Sequence, residues 1–172
     1  MWEHLFEAVI AFFLVLFGWS GLGEVTAPPT EEGEQVLSSE VVVAYVIDGD
    51  TFDTADGERV RLLGVDTPER EECYYQESTE FVRQWLEGAT VRLESDVREV
   101  DTYGRLLRYV FIDQEPDGSA TSTELLVNDV LLAEGYATYL PIGPDRRYRL
   151  QFRDSWEAAQ AREVGRWSVC DE

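Results

Sequence analysis

The sequence contains no lysine: its fourteen basic residues are all arginine, set against 35 acidic side chains for a formal net charge of −21. Without lysine there is neither a Walker-type phosphate loop nor a Schiff base. Histidine is almost as scarce. The single one, His4, lies in an apolar leader, so Ser–His or Cys–His nucleophilic catalysis and His-based zinc sites are excluded from the folded part. Any general base must then be a carboxylate, and any metal a hard cation bound by oxygen. What is present is 44% apolar and 12% aromatic residues over 172 positions, a globular composition with length for one domain and an appendage.

A chain this acidic repels itself and should repel polyanions. One reading is a protein that avoids nucleic acid. The other is a protein of concentrated salt, where at about 1 M the Debye length is roughly 3 Å and dispersed charges stop acting at a distance. The absence of lysine beside 35 carboxylates favours the second reading. It predicts that fold and activity collapse in dilute buffer and recover in salt.

Residues 1–23 carry the apolar run Ala8–Trp19 followed by Ser20, Gly21 and Gly23. This is the size of a signal-peptide core and short of the ~20 residues that span a bilayer. Glu3 and Glu7 stand where a basic flank is expected, so a cleaved signal peptide and a retained N-terminal membrane anchor both stay open, with a buried helix as the plain alternative. Either export reading makes the protein secreted or membrane-anchored, with the folded domain extracellular. Residues 24–39, with two prolines and four glutamates, read as a flexible acidic tether.

Residues 40–172 read as the folded domain. Strands are expected at Val41–Ile47, Thr51–Thr54, Arg59–Val65, Thr90–Glu94 and Leu106–Ile112, with Asp56-Gly57 as a hairpin turn. Apolar spacing predicts helices at Tyr75–Glu87, Asn128–Glu134 and Arg146–Glu163. Five strands with about three helices suggest a mainly β domain, a small Greek-key barrel of the OB type.

Carboxylates and arginines cluster at strand ends. Asp48-Gly49-Asp50-Thr51 joins the first two strands, Arg61 lies in the third, Asp66-Thr67-Pro68-Glu69 ends it, and Asp101-Thr102-Tyr103-Gly104-Arg105 precedes the fifth. Singly, each has a structural reading: a turn, a helix start capped by Asp66, a loop. Together they converge. In a meander the loops at Asp50 and Asp66 share one end of neighbouring strands, so two carboxylates can meet on one ion whose shell carbonyls and waters complete, a set suited to Ca²⁺. Arg61 points to the same end, where a guanidinium beside a hard cation offsets the charge of a phosphodiester. Glu69 can deprotonate a water, and Arg105 adds a cation for charge building on phosphorus.

These residues resemble the staphylococcal (micrococcal) nuclease family of thermonuclease-like OB-fold enzymes, over roughly Val41 to Cys170. The motifs Asp-Gly-Asp-Thr, Arg-Leu-Leu-x-Val-Asp-Thr-Pro-Glu and Asp-x-Tyr-Gly-Arg match Asp48–Thr51, Arg61–Glu69 and Asp101–Arg105. The resemblance implies that Asp50, Asp66 and the Thr67 carbonyl hold Ca²⁺, and that Glu69 is the base or water-orienting group. It implies that Arg61 and Arg105 stabilise the phosphate, Tyr103 donates a hydrogen bond to it, and Tyr139 stacks on a base or touches phosphate. Thr102 departs from the pattern, since the family usually has a basic residue there.

The two cysteines, Cys73 and Cys170, could be separate buried thiols. An even count in an exported chain favours a disulfide, and the resemblance extends to family members with Glu-Cys-Tyr early and Trp-Ser-x-Cys late, matched by Glu72–Tyr74 and Trp167–Cys170. The Arg146, Arg147, Arg149 and Arg153 cluster reads as a solvated helix face rather than a nucleic-acid track, because Asp145, Asp154 and Glu157 interleave with it. The expectation is a monomeric Ca²⁺-dependent nuclease acting on DNA, RNA or both. The competing readings are a catalytically silent OB module binding nucleic acid or a protein, and an acidic protein that merely binds Ca²⁺.

Overall fold

The computed structural model describes residues 38–114 and 123–170; the expected leader and residues 24–37 of the expected tether lie outside them. The strands are β1 (Ser38–Val46), β2 (Thr51–Thr54), β3 (Arg59–Leu62), β4 (Val65–Asp66), β5 (Thr90–Glu94), β6 (Leu106–Gln114), β7 (Thr123–Leu126) and β8 (Thr138–Tyr139). The helices are α1 (Tyr75–Leu86), α2 (Val127–Ala133), α3 (Arg149–Ala161) and the single turn α4 (Arg166–Val169). Among the described residues no helix is long and apolar enough to cross a membrane.

β3, β2, β1, β5 and β6 neighbour one another in that order, and β3 returns to pair with β6 in parallel, closing a five-stranded barrel. This is the expected OB-type architecture. Its interior is lined from every strand of the ring by Val43, Phe52, Leu62, Leu93 and Val110, all at most 1% exposed, with Leu93 and Val110 facing each other across β5 and β6. α1 buries Val82 and Leu86, the amphipathic stripe read from the sequence.

β1 begins at Ser38, so Ser38 and Ser39 belong to the barrel and not to the tether. The first half of the strand, Ser38–Val42, pairs with β5, and Val43–Val46 pairs with β2 across a register shift, so one strand serves two partners. The expected third strand breaks in two at Gly64. There φ is +76°, and a Cβ would lie 2.6 Å from the Phe152 ring, so the chain turns out of the barrel and β4 pairs with β8 instead. The expected last helix is shorter at both ends. Asp96 accepts the backbone N–H groups of Arg146 and Arg147 at 2.7 and 3.0 Å, holding that segment outside α3, and Gly165 at φ +59° separates α4.

Asn128, on α2, is fully buried and joins three segments. Its Oδ1 accepts the Val110 N–H at 2.9 Å, and its Nδ2 donates to the carbonyls of Leu63 at 2.8 Å and Arg108 at 3.4 Å. Replacing it by alanine strands a buried N–H and a buried carbonyl beside the Asp66 turn. Asn128→Ala is expected to lower stability by about 2–4 kcal/mol, read from urea unfolding.

Candidate active site

The end of the barrel where β2 begins and β3 finishes gathers four of the sequence-derived site residues in direct contact. Thr51 pairs with Arg61 across β2 and β3, which puts Asp50 beside the guanidinium. Asp50 Oδ1 lies 3.1 Å from Arg61 Nε and accepts the Thr51 hydroxyl at 3.0 Å. Its Oδ2 accepts both the backbone N–H and the hydroxyl of Thr67, each at 3.0 Å. Arg61 Nη1 donates to the carbonyls of Leu62 and Val65 at 2.9 and 2.8 Å, and Nη2 to Asp66 Oδ1 at 3.0 Å. Of five guanidinium N–H groups, one on Nη2 has no partner among the described residues. The Arg61 and Asp50 side chains are 9% and 8% exposed while that of Asp66 is 50% exposed, so one carboxylate is structural ground and the other faces solvent.

Burial, reinforced by the Asp50 and Glu72 charges and partly offset by Arg61, raises the Asp66 carboxyl above its ordinary value. Burial and then the Asp50 charge push Asp48 up to about 6. In both carboxyls the leading cause is loss of water on burial, with the neighbouring carboxylate second to it in Asp48.

No helix starts at Asp66-Thr67-Pro68-Glu69; the segment leads into turns and α1 begins only at Tyr75. The capping reading of that motif therefore falls. Glu69 is exposed, its backbone N–H bonds Glu72 at 2.8 Å, and its carboxylate has no partner among the described residues. Gly49 explains the close approach of the two loops: a Cβ there would stand 2.8 Å from the Thr67 side chain. Gly49→Ala must displace Thr67 from Asp50, and is expected to cost about 1–3 kcal/mol in chemical denaturation.

Arg105 and Tyr103 form a second group, organised by Asp101. Its carboxylate accepts the N–H groups of Tyr103 at 2.8 Å and Arg105 at 2.9 Å, and the Arg105 Nε at 2.6 Å. Burial raises the Asp101 carboxyl, and these donors together outweigh it and hold it below its ordinary value. Tyr103 is 84% exposed, and the Arg105 guanidinium lies 5.5 Å from its ring. The link to Arg61 is the barrel closure, since Leu107 pairs with Arg61 and strand alternation places position 105 on the same face. Tyr139 pairs with Val65 in the β4–β8 ribbon, one register step from Asp66, with its ring 6.4 Å from that of Trp156.

Cys73 and Cys170 are joined, their Cα atoms 5.8 Å apart across a sequence separation of 97. In the arginine cluster, Arg147 pairs with Glu94 and Arg153 with Asp154 and Glu157. Thr138 is a site residue the sequence does not announce. Its hydroxyl donates to the Asp66 carbonyl at 3.1 Å, a role that depends on a two-residue strand with no periodic signal. Among the described residues no group of three or more His, Cys, Asp or Glu is placed to hold a metal. The all-oxygen set here has two carboxylates, Asp50 and Asp66, with the Thr67 carbonyl adjoining.

A closed five-stranded barrel bearing an Asp–Arg–Asp bridge at one end defines a nuclease-type OB domain, and comparison with known sequences agrees. The family model described as "Staphylococcal nuclease homologue" matches residues 59–169. The chain is 32% identical over 149 residues to a thermonuclease of Staphylococcus intermedius, covering 81% of this chain and 83% of that protein. It is 33% identical over 135 residues to a thermonuclease of Staphylococcus hyicus, covering 73% and 74%. It is also similar to endonuclease YncB of Bacillus subtilis, 31% identical over 139 residues covering 74% and 61%. The chain belongs to the staphylococcal nuclease homologue family.

Proposed function

We propose that the protein is a Ca²⁺-dependent nuclease that hydrolyses phosphodiester bonds of DNA, RNA or both. The observation that carries this reading is the Asp50–Arg61–Asp66 bridge, a buried guanidinium held by four hydrogen bonds and ion pairs with one N–H left over. The relatives' names support the reaction class.

The donor chemistry fits the cation. Asp50, Asp66 and the Thr67 carbonyl are hard oxygen ligands, and the half-exposed Asp66 carboxylate is open to a cation from solvent. All four hydrogen-bonding positions of Asp50 are filled by Thr51, Arg61 and Thr67, so Asp50 must exchange one of them to serve as a ligand. When bound, Ca²⁺ supplies charge that offsets the phosphodiester and the developing phosphorane. Arg61, through its remaining N–H, and Arg105 bind the phosphate oxygens and stabilise the same charge. Glu69, unencumbered by partners, takes a proton from the attacking water as its oxygen bonds phosphorus and the bond to the leaving oxygen breaks. The Tyr103 hydroxyl donates to the phosphate, and Tyr139 offers a face for a base. Export through residues 1–23 and a monomeric state belong to the same proposal.

A lysine-free surface with −21 net charge supports the further reading that the enzyme works in concentrated salt. Both parts are tested together by plasmid and single-stranded DNA degradation across a salt series, with Ca²⁺ and with EDTA. Cleavage is expected only with Ca²⁺, with fold and activity lost in dilute buffer by circular dichroism and rate. Binding without cleavage under every condition would favour the silent OB module. Full activity in dilute buffer would sink the salt reading alone.

A further inference from the structure

Arg105 and Tyr103 stand on a hairpin that side-chain packing does not hold. Residues 99–107 fold back on themselves through the Val100–Leu106 bridge and the bond from the Leu107 N–H to the Glu99 carbonyl at 3.0 Å. From Asp96 to Leu106 no residue is buried, and Val97 and Val100 are 59% and 49% exposed. With so little apolar surface to bury, the position of the hairpin depends on its polar ties. Asp101 organises the tip from within. On the barrel side Arg108 donates from Nη1 to the Glu99 carbonyl at 2.9 Å and pairs through Nη2 with the Glu99 carboxylate at 2.7 Å.

On the opposite side the tie is Arg98. Asp145 Oδ1 accepts the Arg98 backbone N–H at 2.9 Å, and Oδ2 accepts Nε at 2.7 Å and Nη2 at 2.6 Å. Nη2 also donates to the Ile142 carbonyl at 3.0 Å. Backbone and guanidinium of one residue are thus locked to one carboxylate whose side chain is 2% exposed, unlike a loosely held surface ion pair. The receiving segment is stiff, since Pro141 and Pro144 fix two of its φ angles, and the guanidinium lies over Gly143, with Cζ 3.5 Å from where a Cβ would stand. That segment leads back to the site. The Leu140 N–H donates to the Gly64 carbonyl at 3.1 Å, and Tyr139 and Thr138 pair with Val65 and Asp66. Arg105 and Asp66 are therefore linked by two routes, one through the β3–β6 seam and the other through Arg98, residues 142–145 and β8. The first fixes the root of the hairpin; the second fixes its free limb.

We propose that Arg98 is a positioning residue for phosphodiester cleavage: it holds the free limb of the 99–107 hairpin against the segment that follows Tyr139, and so sets where the Arg105 guanidinium stands relative to Asp66. This rests on the nuclease reading, and the test separates the two. Single-turnover cleavage of a labelled single-stranded oligonucleotide is measured with Ca²⁺, in salt at which circular dichroism shows every variant folded. Arg98→Gln is expected to slow it about 10-fold to 100-fold, the scale of misplacing a reacting group by roughly 1 Å. In Arg105→Ala protein the same substitution should change the rate by less than about threefold, because no guanidinium is left to misplace. Arg98→Lys keeps a charge for Asp145 but loses the fork, so its loss should be about threefold to tenfold and should likewise vanish without Arg105; it carries the test if the Gln variant does not fold. Hydrogen exchange of the Asp101–Arg105 amides should quicken in either Arg98 variant while that of β5 and β6 does not. Equal losses with and without Arg105 would mean that Arg98 acts through stability alone and would overturn the assignment. Parent-like cleavage by Arg98→Gln or by Arg105→Ala, or unchanged exchange in the hairpin, would do the same. Absence of cleavage by the unaltered protein would overturn the nuclease reading instead.

Discussion

Arg61→Ala is expected to lower the rate of DNA cleavage by on the order of 10³-fold or more at saturating Ca²⁺, the scale of losing a preorganised guanidinium in phosphoryl transfer. The reason is double. The variant loses the Nη2 N–H that has no partner among the described residues, and it leaves Asp50 and Asp66 without the charge that bridges them. Removing one partner of a buried pair costs about 3–5 kcal/mol, so the variant should also unfold at lower denaturant than the parent. Added Ca²⁺ should restore much of that stability, because a cation between the carboxylates relieves their repulsion, without restoring the rate. Urea unfolding with and without Ca²⁺, beside single-turnover cleavage, separates the two roles. Cleavage within tenfold of the parent would remove Arg61 from the chemistry.

The second large effect is that of the disulfide. Cys73 and Cys170 close a loop with a sequence separation of 97 that holds α1 and everything after it, and in the chain-entropy model a loop of this length contributes on the order of 4–5 kcal/mol. Replacing both cysteines by serine should therefore lower the melting temperature by about 10–20 °C. The loss should be confined to stability and to α4, whose C-terminal anchor it is, with the barrel's circular dichroism intact at low temperature. A change below about 1 kcal/mol would mean that the unfolded chain is not constrained by the bond.

Much of this site was legible in the sequence because its parts sit at strand ends, where short motifs and strand alternation suffice. Asp50, Arg61, Asp66 and Thr67 meet as expected because β2 and β3 form a two-stranded turn around Gly57, a local structure with a local signal. The break at Gly64 was not legible. It rests on a positive φ that glycine alone adopts freely and on the closeness of Phe152, which lies 88 positions further along the chain and leaves no room for a Cβ. β7 and α4 were missed for a different reason: four residues each are too few to show a period. The helix-start reading of Asp66–Glu69 failed because the Asp66 carboxylate is committed to Arg61 rather than to backbone N–H groups. Thr138 reaches Asp66 through register with a remote segment, and no spacing in the sequence encodes it.

The parallel pairing of β3 with β6 has a kinetic consequence. It joins Val60 to Leu106 and Arg61 to Leu107, segments that cannot find each other until the intervening strands and α1 are in place. Contacts of such separation form late in folding. Because Arg61 lies on one side of that seam and Arg105 at the head of the other, a chain with most of its barrel built still lacks the pair of guanidiniums proposed above to bind phosphate. Recovery of cleavage during refolding should therefore lag recovery of β structure, the site staying silent until β6 is zipped against β3.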